Sequence, residues 1–137
     1  MIRVEINGLD LYDEFKLITT SVSIEPASQK KYYIDVPGAN GKIDYTSFFG
    51  KPVFENRTIS ITLMRKYDQE IAELKYKLEL LFNGQKANIS FSDDDDHYWK
   101  GRIAFEKNDD DKVIYELKMK IDAEPFKFLK LYDEEVK

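Results

Sequence analysis

The sequence predicts one domain of the α+β class that is mainly β, an antiparallel β-sandwich or partly closed barrel with one flanking α-helix. Three observations predict this fold. Aromatic residues make up 14% of the 137 residues, and aromatic side chains favour strands. Most apolar residues alternate with polar ones, as in half-buried strands, while one segment repeats every three to four residues, as in an amphipathic helix. The hydrophobic share of 42% is enough for a single core.

The N-terminal region predicts a short hairpin. Ile2, Val4 and Ile6 share one parity of the chain, so they face the same side of a strand. Asn7-Gly8 follows, and both of these residues accept the positive φ of a tight turn. We expect the hairpin to return through Leu9 to Tyr12.

Two strands and a long loop are predicted next. Val22 and Ile24 alternate with serine residues, and the aromatic-rich run from Lys31 to Val36 stops at Pro37 because proline cannot donate to a strand ladder. Turn-forming residues dominate from there to residue 52, around a brief strand from Lys42 to Thr46. We interpret this region as a long excursion from the core.

The segment from Thr58 to Leu63 alternates strictly between hydroxyl and apolar side chains. This pattern predicts a strand with Ile59, Ile61 and Leu63 facing the core.

The helical segment lies between Asp68, a predicted N-cap, and Asn83-Gly84, a predicted C-cap pair. Four apolar residues recur between them at helical spacing and predict one buried face of a helix of about four turns. They are Ile71, Leu74, Leu78 and Leu81.

Three strands are predicted after the helix, from Ala87 to Phe91, from Trp99 to Phe105 and from Val113 to Ile121, with a hairpin turn at 108–111 between the last two. In the last strand one face is apolar and consists of Val113, Tyr115, Leu117, Met119 and Ile121. We expect residues 1–128 to form one domain and the charged tail of residues 129–137 to fray.

The composition argues against several classes of partner. The net charge is −5 and the Lys and Arg residues are dispersed, so we expect no stable binding of nucleic acid. The absence of cysteine excludes disulfides and thiolate metal sites. The N-terminus lacks an apolar signal core, and no segment has the roughly 18 apolar residues that span a bilayer. We expect a soluble protein without a membrane partner.

Catalytic chemistry has few candidate residues. His97 is the one histidine of the chain, and a Ser-His-acid triad through it stays an alternative that lacks the nucleophile-elbow pattern. We expect a loop histidine that enters a strand. Paired carboxylates are uninformative, because 26 acidic residues give many chance pairs. We assign no catalytic residue and expect no enzyme.

Four consecutive acids at 93–96 suggest a calcium loop. An EF-hand loop starting at Asp93 would place Tyr98 where glycine is required and Ala104 where a bidentate glutamate is required. The pattern fails, so we expect a solvated hairpin loop, with no metal and no cofactor.

Several aromatic residues are candidates for a sugar-stacking or a subunit-binding surface: Tyr32, Tyr33, Phe48, Phe49, Tyr98 and Trp99. For Tyr98 and Trp99 we expect sheet or core packing, the usual role of aromatic residues in strands. Phe48 and Phe49 lie in a glycine-rich loop that cannot cover them, which favours an interface.

Seven segments, in this order along the chain, carry a resemblance to a known family. They are Tyr33 to Thr46 (YIDVPGANGKIDYT), Phe49-Gly50, Phe54 to Ile59 (FENRTI), Leu81 to Gly84 (LFNG), Phe91 to Asp94 (FSDD), Tyr98 to Arg102 (YWKGR) and Glu124 to Lys127 (EPFK). Together they span nearly the whole chain, which resembles the siphophage distal tail protein family.

The resemblance implies a structural role and a tail-tube-related fold. Copies of the chain would form a ring, a hexamer in that family, at the tip of a phage or prophage tail, with a channel for DNA. The implied partners are the chain itself, the tail tube and the baseplate or tip proteins. The implied location is the virion tail, assembled in the host cytoplasm. The second, often galectin-like domain of many members is expected to be absent.

A closed ring needs two complementary surfaces on each subunit. We predict that residues 37–54 form an arm that contacts a neighbouring copy. The interface residues assigned on this basis are Pro37, Gly38, Asn40, Gly41, Phe48, Phe49, Gly50 and Phe54. Two alternatives stay open, a monomeric carbohydrate-binding β-sandwich module and another tail-tube-related ring subunit.

Overall fold

The computed structural model of the chain describes residues 2–30, 33–35, 38, 42–44, 53–106 and 113–130. In chain order, the elements are β1 (Val4–Ile6), β2 (Leu9–Asp10), α1 (Leu11–Phe15), β3 (Ile18–Ile24), β4 (Tyr33–Asp35), β5 (Lys42–Asp44), β6 (Arg57–Lys66), α2 (Ile71–Phe82), β7 (Lys86–Phe91), β8 (Asp94–Phe105), β9 (Ile114–Ala123) and β10 (Phe128–Leu129).

Eight strands form one antiparallel sheet. Seven of them follow the order β2-β1-β7-β8-β9-β6-β3, and β10 pairs with β8 beside that path. The N-terminal half of β8 pairs with β10 through Tyr98 and His97, and its C-terminal half pairs with β9 from Gly101 to Phe105. Strands β4 and β5 pair only with each other among the described residues.

The sheet is strongly curled, and the connection between its two edge strands shows why. In a flat sheet of seven strands at about 4.8 Å spacing, β2 and β3 would lie about 29 Å apart. The chain from Asp10 to Ile18 contains α1, which rises about 1.5 Å per residue, so it reaches no more than about 18 Å. The two edges therefore approach each other, and α1 bridges the gap between them. The predicted α+β, mainly β fold is confirmed, with an antiparallel sheet that does not close.

The core fills the concave side of the sheet. On β6, Ile59, Ile61 and Leu63 are all buried, as their alternation predicts. On β9 the alternation from Tyr115 onward is also confirmed, and it continues to Ala123. Val113 was expected on the same buried face, but it precedes the strand and is 66% exposed.

The N-terminal hairpin is confirmed, with φ values of 52° at Asn7 and 86° at Gly8. The prediction that it continues through Tyr12 is wrong, because α1 begins at Leu11. The carboxylate of Asp10 accepts hydrogen bonds from the N–H groups of Tyr12 and Asp13, so it caps this helix. The described part of the chain thus contains two helices, where one was predicted.

Helix α2 differs from its prediction at both ends. It begins at Ile71 with Glu70 as N-cap, so the N-cap assigned to Asp68 is wrong. Asp68 lies before the helix, where its carboxylate accepts the Glu70 N–H at 2.9 Å. The C-cap pair is confirmed, with Asn83 as C-cap and Gly84 at φ 76°. At 12 residues the helix has a little over three turns.

The buried face of α2 consists of Ile71, Leu74, Leu78 and Phe82. Leu81 was predicted on this face but is 40% exposed. Phe82 lies four residues after Leu78, nearer the centre of the face, and its ring meets the ring of Phe15 edge-on at 6.2 Å. This contact packs α2 against α1.

Strand β8 begins at Asp94, five residues before its predicted start at Trp99. The acidic run was expected to be a hairpin loop, but the tight turn occupies only residues 92 and 93 and the following acids lie in the strand. At the C-terminus, Leu129 lies in β10, and Lys130 donates its N–H to the carbonyl oxygen of Asp96 at 2.8 Å. The predicted hairpin turn at 108–111 and the frayed end at 131–137 lie outside the described residues.

No helix within the described ranges is both long and apolar enough to cross a bilayer.

Gly101 is required by the packing of β8 against β9. A Cβ atom at this position would lie 2.6 Å from Cγ2 of Ile121, 2.8 Å from the carbonyl oxygen of Asp122 and 2.9 Å from Cα of Ala123. Two of these three atoms belong to the backbone, so the strands themselves would have to separate.

We therefore expect Gly101→Ala to lower the free energy of unfolding by about 1–3 kcal/mol, the usual cost of overpacking. Urea denaturation measures it. The matched control is Ala104→Ser, an exposed position on the same strand, which should change the stability by less than about 0.5 kcal/mol. Equal stabilities of the two variants would contradict this account of Gly101.

Candidate functional site

The arm leaves the sheet as two paired chain segments. At its base Gln29 pairs with Phe54 in antiparallel fashion. Lys30 N–H donates to the carbonyl oxygen of Val53 at 2.6 Å, and Glu55 N–H donates to that of Ser28 at 2.8 Å. We call residues 28–30 and 53–55 the arm base. Further along the chain, β4 and β5 pair as a separate ribbon.

Two of the eight predicted interface residues are described. Gly38 has φ 81°, in the left-handed region that the Pro-Gly turn chemistry predicts. Phe54 is half-buried at the arm base, where its ring meets that of Phe126 edge-on at 5.2 Å. Pro37, Asn40, Gly41, Phe48, Phe49 and Gly50 lie outside the described residues, and their role in an interface stays a prediction.

Arg57, the first residue of β6, holds the arm base to the C-terminal part of the chain. Its Nε donates to the carbonyl oxygen of Pro125 at 2.8 Å, and its second terminal nitrogen donates to the same oxygen. The other terminal nitrogen reaches the carbonyl oxygen of Glu25 at 3.4 Å, just before the arm. The guanidinium also lies 4.7 Å from the ring centre of Trp99, a cation–π contact.

This junction brings together three of the segments that carry the family resemblance. Arg57 and Phe54 belong to FENRTI, Trp99 to YWKGR, and Pro125 and Phe126 to EPFK. These segments are far apart in the sequence, yet Arg57 touches the other two directly. These three segments of the family resemblance therefore meet at one site in the fold.

Residues 124–130 form a strap across β8. At its start Glu124 N–H donates to the carbonyl oxygen of Lys100 at 2.9 Å. The ring of Phe128 stacks on Tyr98 at 5.5 Å, and Nζ of Lys100 lies 4.8 Å from the centre of the Phe128 ring. The expected packing roles of Tyr98 and Trp99 are thus observed, and Trp99 is 6% exposed.

Two lysine residues fasten the strap. Lys127 forms an ion pair with Asp94. Lys130 donates from Nζ to the hydroxyl of Ser90 at 2.7 Å, and that hydroxyl donates to the carbonyl oxygen of His97 at 3.2 Å. Ser90 is the buried polar residue among the described positions, and these two bonds satisfy its hydroxyl.

The histidine lies inside β8, where a loop position was expected. Its Nδ1 is 2.9 Å from Oδ1 of Asp94, the histidine–acid half of a triad. A nucleophilic serine would have to bond to the histidine ring, whereas the Ser90 proton is directed to the main-chain oxygen. The described contacts therefore form a structural network around His97.

Asp94 balances the charges of the strap. Hydrogen bonds from Lys127 first, and from His97 second, lower the pKa of Asp94 below its ordinary value. Each oxygen of the carboxylate accepts one of these two hydrogen bonds. Across the described ranges no group of three or more His, Cys, Asp and Glu side chains is arranged to hold a metal ion.

An open groove of about 980 Å³ lies elsewhere, near the gap that α1 bridges, and its lining includes Tyr12, Ile18 and Arg65. Arg65 donates to Asp68 at 2.8 Å and to the carbonyl oxygen of Phe15 at 3.0 Å. The hydrogen bond that Arg65 donates to the Asp68 carboxylate is the main reason that the pKa of Arg65 is raised. This arginine thus holds α1 and the start of α2 in place.

The sequence reasoning missed Arg57 and the two lysines of the strap as site residues. Arg57 enters the sequence analysis only as part of the FENRTI segment. The available signal was its position in that segment, directly before the strand predicted from Thr58 to Leu63. No local pattern indicates that Lys127 and Lys130 approach the acidic run, because about 30 residues separate them.

No family model and no curated protein sequence matches the chain. Among solved structures, the Dit protein of SPP1, described as a paradigm of the hub adsorption apparatus in phages that infect Gram-positive bacteria, matches 94% of this chain with a TM-score of 0.67 at 17% identity. The chain spans 52% of that protein, about half its length. The tail of an empty GTA particle with C6 symmetry matches with a TM-score of 0.42 at 13% identity, over 94% of this chain and 93% of that one.

The chain has the fold of the SPP1 Dit protein over nearly all of its length. The resemblance to distal tail proteins that the sequence motifs indicate is thereby confirmed at the level of the fold.

The ion pair of the strap generates a prediction of pH dependence. A carboxyl group whose pKa is lowered in the folded state stabilises the fold above its unfolded pKa, about 3.9, and this contribution is lost as the pH falls through the folded value. Asp94→Asn should therefore melt at a lower temperature than the wild type at neutral pH, and the difference should vanish in acid below that value.

Thermal melts at stepped pH measure this difference. Asp93→Asn is the matched control, because it removes the same charge from an exposed position in the adjacent turn. A difference for Asp94→Asn that is independent of pH would show that its charge pairing is unimportant.

Proposed function

We propose that this chain is a structural, non-enzymatic component of a bacteriophage or prophage tail tip. Its copies form a closed ring, most simply a hexamer, that joins the tail tube to baseplate or tip proteins and leaves a channel for DNA. The observation that carries the proposal is the fold shared with the SPP1 Dit protein over 94% of the chain. The virion tail, assembled in the host cytoplasm, is the proposed location.

Two features of the described residues support ring formation. The arm base and the β4–β5 ribbon are separate from the main sheet. Strand β3 pairs with β6 on one side, and no described strand pairs with its other side. Unpaired N–H and C=O groups on a strand edge are a template for another chain.

An arm and an open edge are two different surfaces, as a head-to-tail ring requires. Ile18 and Ile24, at the two ends of β3, are 45% and 40% exposed. We propose that a neighbouring copy covers this edge. The net charge of −5 suits a channel that does not retain DNA.

Light scattering coupled to size exclusion, followed by negative-stain imaging, tests the proposal over a range of concentrations. Sixfold rings would support it. Rings of another symmetry would favour a different tail-tube-related subunit. A protein that stays monomeric at every concentration and binds a glycan saturably would overturn the proposal in favour of a carbohydrate-binding module.

The arm generates a specific prediction. Phe48→Ser combined with Phe49→Ser should weaken assembly without unfolding the monomer, because two apolar side chains in a glycine-rich loop contribute to an interface and not to the core. Oligomer mass measures assembly, and circular dichroism measures the fold.

The matched control removes an equally apolar pair from the outer face of α2. Tyr76 and Leu80 are 66% and 63% exposed, so Tyr76→Ser combined with Leu80→Ser should leave ring mass unchanged. An arm variant that assembles like the wild type would exclude the arm from the interface.

A further inference from the structure

We infer that Arg57 works as a latch that makes the order of the arm base and the order of the strap depend on each other. Displacement of the strap would then release the arm base, although the two segments lie in different parts of the sequence. This inference goes beyond ring formation, because it concerns a conformational link inside one copy.

The first step of the argument is that one guanidinium serves both segments. Arg57 follows the arm base by two residues in the sequence, and its bond to the Glu25 oxygen reaches the chain three residues before the arm base, while its two bonds to the Pro125 oxygen lie on the strap side. The planar guanidinium holds these donors in one fixed arrangement. A shift of either carbonyl oxygen therefore disturbs the bonds to the other.

The second step is that a pair of rings forms a parallel link. Phe54 of the arm base and Phe126 of the strap meet edge-on at 5.2 Å. Phe126 is otherwise half exposed, at 55% of its surface. The strap thus contacts the arm base through both a charged group and an aromatic pair.

The third step is that the middle of the strap is held by an exposed contact, whereas Lys130 at its end donates to the buried Ser90. Strand β10 has two residues, and Lys127, which pairs with Asp94, is 40% exposed. Exposed ion pairs contribute little each and are weakened by salt. Loss of the pair between Lys127 and Asp94 therefore loosens the strap without removing its other contacts with β8.

Strap and arm base are consequently expected to open as one cooperative unit. Local unfolding in proteins proceeds in such contiguous units, each with its own opening free energy. Two sites that share one element with two arrangements affect each other reciprocally.

Amide hydrogen exchange of the full chain at low concentration tests the latch. Four amides report on it: Lys30 and Glu55 in the arm base, and Glu124 and Lys130 in the strap. The Asn7 amide, which donates to the carbonyl oxygen of Asn88 at 2.9 Å, reports on the rest of the sheet.

Lys127→Met removes an ion pair of the strap and leaves every described contact of the arm base in place. We expect exchange to rise by about two- to fivefold in the strap and by a similar factor in the arm base, with Asn7 unchanged. Faster exchange in the strap alone would overturn the latch.

The matched control is Lys118→Met. Lys118 is 44% exposed and pairs with Glu116 on β9, away from the junction. It should leave all four reporters unchanged. If Lys118→Met raised the exchange rates of these amides as much as Lys127→Met does, the effect would be a general result of lost charge. That outcome would also overturn the latch.

A second variant keeps the test informative if the first effect is small. Arg57→Lys keeps the charge but cannot reproduce the paired bonds to one oxygen. In this background, Lys127→Met should accelerate exchange in the arm base less than it does with Arg57 present, because only the Phe54–Phe126 contact still joins the two segments. An unchanged coupling in the double variant would mean that Arg57 is not the latch.

Discussion

The junction at Arg57 is the interaction on which the functional part of the fold depends. A single charge lies between the chain that enters the arm, the chain that enters the strap and the face of a buried tryptophan. Charge-assisted hydrogen bonds to main-chain oxygens are among the stronger polar contacts in proteins.

The curled sheet provides the frame for that junction. Its edges approach because α1 spans the distance between β2 and β3 in little more than one helical turn. One concave side then encloses the core, and α2 closes it through Phe82 and the other residues of its buried face. The convex side carries polar residues such as Ser60, Thr62 and Lys120, which keeps it hydrated. Packing therefore fixes the frame, while polar contacts fix what projects from it.

Sequence reasoning recovered the parts of the fold that follow from local period. Strands β6 and β9 alternate over enough residues to be read directly, and the Asn83-Gly84 pair marked the end of α2. Helix α1 escaped prediction because five residues are too few to display a helical period. The start of β8 was not predicted, because consecutive acids usually form a solvated loop. Here Lys127 and Lys130, more than 30 residues later in the sequence, contact this region in the fold. The site could be predicted as segments, but their convergence depends on sheet order, which no local pattern encodes.

The placement of the N-terminal strands has a consequence for the order of folding during synthesis. Strand β1 can form its hairpin with β2 at once, yet its other partner β7, and the partner β6 of strand β3, come much later in the chain. The bond from Arg3 to Ser92 spans 89 residues, and the bond from Thr20 to Thr62 spans 42. Closing such long loops is slow compared with forming local hairpins. The first 24 residues therefore stay unpaired with the rest of the sheet until the strands from β6 to β9 have been synthesised. Strands β1 and β3 then pair with opposite sides of those strands.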